Sequence, residues 1–88
     1  MARMDIWSEQ PDRAAQTGSP DVLFALGMQY STGRDVATDL VTAHKWFNLA
    51  ALRGNQEAKQ HRWELAQVMS PDEIATAQRL AREWLSTN

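Results

Sequence analysis

The stretch AAQTGSPDV, Ala14 to Val22, returns later in the chain as AALRGNQEA, Ala50 to Ala58. Each copy reads Ala-Ala-x-x-Gly, then a small polar residue, any residue, an acid and a small apolar residue. The offset is 36 residues in a chain of 88. A short motif of alanine pairs and a glycine is what a close helix contact followed by a tight turn requires. Alanine and glycine let two backbones approach, and glycine takes the left-handed conformation that ends a helix.

Helix punctuation around the two copies is dense. Ser19 is placed to cap a helix over 20–32, with Pro20 at the first helical position, where its missing N–H costs nothing. Val22, Leu26 and Tyr30 line one face of it with Gly27 beside them, and Gly33 ends it. Asp39, or Thr38 before it, caps a helix over 39–53. There Ala43, Phe47, Ala50 and Ala51 form the inner stripe, widened by Leu40, Trp46 and Leu49, and Gly54 takes the left-handed end position. Asn55 caps a third helix over 55–68, with Ala58, Leu65 and Ala66 inward and Lys59, Arg62 and Glu64 solvated. Ser70, Pro71 and Glu73 form a capping box for a fourth helix over 71–86, whose stripe is Ile74, Ala77, Ala81 and Trp84 with Leu80 and Leu85 flanking. No stretch alternates apolar and polar residues in strand fashion. Short connections predict antiparallel neighbours, and the chain reads as all-α.

Residues 1–18 read as an N-terminal arm with a partial helix, Ser8 as its cap and Pro11 in its first turn. By the 36-residue offset, Ala14, Ala15 and Gly18 stand where Ala50, Ala51 and Gly54 stand. The arm is thus expected to supply the last turns of an outer helix, with residues 1–7 mobile and Trp7 docking them. Residues 19–88 form the repeat domain.

A period in the mid-thirties with a helix–turn–helix in each unit is the mark of a helical solenoid. The segment LGMQYSTGRDVATDLVTAHKWFNLAALRGNQEA resembles a Sel-one-like repeat, a relative of the tetratricopeptide repeat. The positions that carry the resemblance are Leu26, Gly27, Tyr30, Gly33, Val36, Asp39, Ala43, Trp46, Phe47, Ala50, Ala51, Gly54 and Ala58, within residues 22–58. The resemblance implies a short α-α superhelix in which small residues set close helix contacts and large rings fill the wedges between units. The chain departs from the pattern in three places. Asp35 stands where the family has a second glycine, and Val22 where a small alanine is usual. One period after Leu26 and Gly27 come Arg62 and Trp63, and a tryptophan cannot occupy a close-contact glycine site. Residues 55–86 therefore read as a degenerate terminal pair that caps one good repeat. The tail MSPDEIATAQRLAREWL is similar to the closing segment of small bacterial proteins that carry this repeat.

Composition narrows the function. The chain has no cysteine, so thiolate metal sites and disulfides are excluded. It has no Gly-x-Ser-x-Gly, no His-Glu-x-x-His and no glycine-rich phosphate loop. His44 and His61 lie on different helices without a third ligand and read as surface or helix-flank residues, so no metal is expected. Asp72 and Glu73 are explained by the helix dipole rather than by acid–base chemistry. The formal charge is −2. Arg53, Lys59, Arg62, Arg79 and Arg82 alternate with Glu57, Glu64, Asp72, Glu73 and Glu83, the pattern of a solvated surface rather than a nucleic-acid face. No membrane segment and no secretion signal are visible, which makes the cytoplasm the default. No enzyme, cofactor or nucleic-acid partner is expected.

Protein binding remains. The resemblance implies an adaptor whose first helix of each unit lines a concave surface for a peptide or another domain. Phe24, Met28 and Ser31 lie on the helix face away from the repeat stripe, and Phe24 and Met28 are one turn apart. They are the candidate partner-binding residues, and replacing the pair is expected to spare folding; the alternative is that Phe24 packs on the N-terminal segment and Met28 on helix 55–68. Trp63, unassigned by the repeat pattern, is the fourth candidate. The rival readings are self-association into a homodimer through the open ends and single-strand nucleic-acid binding.

Overall fold

The computed structural model describes Ala15 and residues 18–87. Within them the chain forms four helices and no strand: α1 (Pro20–Thr32), α2 (Leu40–Leu52), α3 (Gln56–Ala66) and α4 (Pro71–Thr87). The readings made for Trp7, Ser8, Pro11 and Ala14 fall outside the described residues.

The helix ends follow from local chemistry. Ser19 is extended, and Pro20 opens α1. Gly33 closes it at φ 77°, with its N–H and that of Arg34 both donating to the Gln29 carbonyl at 2.9 and 3.1 Å. Asp39, not Thr38, caps α2, accepting from the Thr42 N–H at 3.1 Å and the Thr42 hydroxyl at 2.8 Å. Asn55 Oδ1 caps α3 through the Ala58 N–H at 2.9 Å. α3 stops at Ala66, two residues short of the expected 68. The Gln67 and Val68 N–H groups turn back to the Glu64 and Leu65 carbonyls and tighten the end of the helix. At α4 the capping box is complete: the Ser70 N–H donates to Glu73 Oε1 at 2.8 Å, and the Glu73 N–H donates to Ser70 Oγ at 3.1 Å.

The repeated motif is a repeated turn. The Gly18 N–H donates to the Ala15 carbonyl at 2.9 Å, and 36 residues later the Gly54 N–H donates to the Ala51 carbonyl at 3.1 Å. Both glycines have positive φ, 75° and 106°, and both turns lead into an extended cap residue, Ser19 and Asn55. The two copies are joined directly, because Arg53 Nη1 donates to the Gly18 carbonyl at 3.0 Å.

α2 is the centre of the fold and packs on α1, α3 and α4, whereas α3 and α4 barely touch each other. Its residues Ala43, Trp46, Phe47, Leu49 and Ala50 are fully buried. Along the first hairpin Asp39 bonds Tyr30, Phe47 lies on Gly27, and Arg53 bonds Gly18, so α1 and α2 run antiparallel. The approach is close at Gly27: a Cβ there would collide with the Phe47 ring, whose Cγ would stand 2.9 Å away. Leu23 and Leu26 are the fully buried leucines of α1, while Val22 and Tyr30 are half-buried, so the buried stripe is rotated by one residue from the one expected. On the far side α4 lays Ala77, Ala81 and Trp84 against α2, with the Trp84 ring edge-on to Trp46 at 5.8 Å. Asp35 adopts φ 67°, the left-handed geometry that glycine takes more readily than aspartate.

Candidate interaction groove

Because α3 and α4 both rest on α2 without closing on each other, an open groove of about 970 Å³ lies between them. His44 and Asn48 of α2 form its floor. The α4 wall contributes Ile74 and Gln78, and the α3 wall contributes Lys59, Gln60, Arg62 and Trp63 with Gln56 and Ala66 at its ends.

The 36-residue offset of the sequence motif sets the two helix pairs side by side for comparison. In α1 the residues at the hairpin interior are Leu23, Phe24, Leu26 and Gly27, all buried or packed on the core. One period later the same positions are Lys59, Gln60, Arg62 and Trp63, and all four line the groove. The groove therefore occupies the place of a hairpin core whose apolar residues have been replaced by polar and bulky ones.

The floor is polar and tied to the wall. Arg62 Nη1 donates to Asn48 Oδ1 at 2.7 Å, and Gln60 Nε2 donates to Glu64 Oε2 at 3.1 Å. Arg62 is half-buried and has no carboxylate at ion-pair distance among the described residues, and the exposed Lys59 has none either. His44 is 3% exposed, and its Nδ1 is buried without a hydrogen-bond partner among the described residues. Burial holds its pKa below the ordinary 6.5, and the Arg62 charge pushes it the same way, so the imidazole is neutral near pH 7. The expectation of a surface or helix-flank position is corrected for His44, which is buried. His44 is in the core because α2 is covered on three sides. His61 is half-buried, stacked on Phe47 at 5.2 Å and meeting Phe24 edge-on at 5.3 Å. Arg62, read from sequence as solvated, is likewise half-buried against α2.

The four candidate contact residues do not form one patch. Phe24 is half-buried, its ring 5.7 Å from Phe47. Met28 is also half-buried against the core, so neither stands free on an outer face. The physical reason is that α3 brings His61 onto the Phe24 ring, which also lies against Phe47 of α2. The Ser31 hydroxyl is spent within its own helix, donating to the Met28 carbonyl at 3.1 Å. Trp63 alone is exposed, at 61%, on the groove wall. From sequence His44 reads only as a surface or helix-flank residue, and Asn48 and Gln78 carry no signal of their own. Only the register of α4 against α2 brings them together, and the 36-residue period does not encode it.

Among the described residues no three His, Asp or Glu side chains come together as metal ligands, and no helix is long and apolar enough to cross a membrane. No family model matches the chain, and no curated protein matches it.

Proposed function

We propose that this chain is a non-enzymatic protein-interaction module, built as a short helical solenoid on one Sel-one-like repeat, with the α3–α4 groove as its contact site. The observation that carries the repeat is the turn at Ala15–Gly18 and Ala51–Gly54, the same backbone bond at the same 36-residue offset as the sequence motif. The close approach of Gly27 to Phe47, a glycine and an aromatic of the pattern, supports it. The groove supports the binding role: it is open, it holds cations without counter-ions, and it carries an exposed tryptophan, a residue type enriched at contact centres.

The test is affinity capture with the wild-type chain and with Trp63→Ala, each shown to be folded by circular dichroism. A partner lost by the variant supports the groove as the contact site, and a partner retained moves it elsewhere.

Self-association is the second reading. The exposed apolar residues favour it: besides Trp63, Leu52 is 64% and Val68 72% exposed. Light scattering during size-exclusion separates the two. A mass that doubles with concentration favours the homodimer, and a constant monomer mass favours the adaptor.

A further inference from the structure

We propose that the α3–α4 groove takes an extended acidic peptide segment, with a carboxylate on Arg62 and Lys59 and an adjacent apolar side chain on Trp63. This rests on the reading of the chain as an interaction module and adds the chemistry of its partner.

Charge is the first ground. The groove lining contains Lys59 and Arg62 and no carboxylate. Arg62 is half-buried and spends one donor on Asn48, which leaves most of a five-donor guanidinium without an anion. A partly desolvated cation of this kind gains most from a ligand carboxylate, through short, charge-assisted bonds. Glu64 is not part of the lining; it accepts from the lining residue Gln60 at 3.1 Å.

The second ground is the amides. Gln56 and Gln78 stand on opposite walls with no side-chain hydrogen bond among the described residues. A carboxamide offers one acceptor and two donors, the same groups a peptide backbone presents. An extended segment leaves its backbone groups free for such pairing, whereas a helix consumes them internally and needs an apolar trough. The lining sets Lys59, Gln60 and Arg62 among Trp63, Ala66 and Ile74, a mixed surface rather than a continuous apolar trough.

The experiment is a selection of short random peptides displayed on phage against the immobilised full chain. Lys59→Gln, Arg62→Gln and Trp63→Ala are run in parallel after circular dichroism confirms their folding. Lys59 is exposed and unpaired, so its variant tests charge without risk to the core. The expected result is enrichment of peptides with Asp or Glu beside an apolar residue. Synthetic copies should lose roughly tenfold in affinity on Arg62→Gln, lose less on Lys59→Gln, and weaken with added salt. Enriched peptides that lack acids yet respond to Trp63→Ala would overturn the acidic ligand and leave the interaction module standing. Enriched peptides indifferent to all three variants would remove the groove as the site. No enrichment, or tighter binding of oligodeoxythymidine than of any peptide, would overturn both.

Discussion

The first helix pair closes on a glycine and the second opens on a tryptophan. In α1–α2, Gly27 brings the backbones together, Phe47 fills the space beside it, and Leu23 and Leu26 are sealed in. In α3–α4 the equivalent residues are Trp63, Arg62 and Lys59, and the pair stands apart over a polar floor. Both pairs begin from the same glycine turn and an extended residue before the first helix, although only Asn55, not Ser19, caps with its side chain. The difference teaches that the turn sets where a helix starts, while the residues of the inner face decide whether its partner can lie on it. Close approach needs a missing side chain on one rod and a large one on the other. When both are changed, the same turn leads to a cleft.

Four variants and one titration would break or sharpen that contrast. The largest effect is expected for Gly27→Leu, which drives a side chain into the Phe47 ring and should cost about 3 kcal/mol. At about 4–8 °C per kcal/mol for a domain of this size, the melting temperature falls visibly. Wild-type melting of this variant would disprove the closed first pair. Next, Phe24→Ser with Met28→Ser should destabilise by roughly 2–3 kcal/mol, since Phe24 touches Phe47 and His61. Chemical denaturation measures it, and an unchanged midpoint would restore these residues to an outer binding face.

Acidification should act through His44 and cost less than either. Its pKa in the fold lies below the unfolded value of 6.5, so the unfolded chain binds the proton first. The stability due to the neutral form is complete above the unfolded value. It is lost as pH falls below 6.5 and levels off once the native pKa is passed. Melting curves of wild type and His44→Gln between about pH 7.5 and 5.5 should diverge in slope, with the variant the flatter; parallel slopes would mean that the groove floor does not hold a neutral histidine. Asp35→Gly should stabilise by about 0.5 kcal/mol, because glycine accepts the left-handed backbone of the α1–α2 loop more readily, less its larger unfolded entropy. A drop in melting temperature would show that the aspartate contributes something beyond its backbone. The smallest effect belongs to Trp63→Ala, within about 0.5 kcal/mol of wild type, since the ring is mostly in water. A large loss would mean that the second pair is closed after all.

How much of this was readable beforehand depends on the range of the interaction involved. Caps at Asp39, Asn55 and Ser70 and the stop at Gly33 are local, each settled within four residues, and the sequence reading placed them correctly. The incompatibility of Trp63 with a close contact was legible because the period aligned it with Gly27. The burial of Phe24 was not. It depends on His61 arriving from another helix, and nothing in the spacing of α1 reports that. His44 was hidden for the same reason: its own helix is amphipathic only if one side is free, and here α1, α3 and α4 occupy three. Leu23 was passed over because a stripe anchored on Val22 and Leu26 leaves it one residue off the face. Its burial follows from how α1 is rotated on α2, which Gly27 fixes through its contact with Phe47.

The uneven shielding of the indoles makes the chain its own optical gauge. Trp46 and Trp84 are buried, edge to face, whereas Trp63 meets the solvent. A collisional quencher such as iodide therefore discriminates between them, and in a Trp7→Phe background its accessible fraction comes from a single emitter. A ligand seated over that emitter shields it without any label attached, and the degree of shielding counts occupied molecules directly.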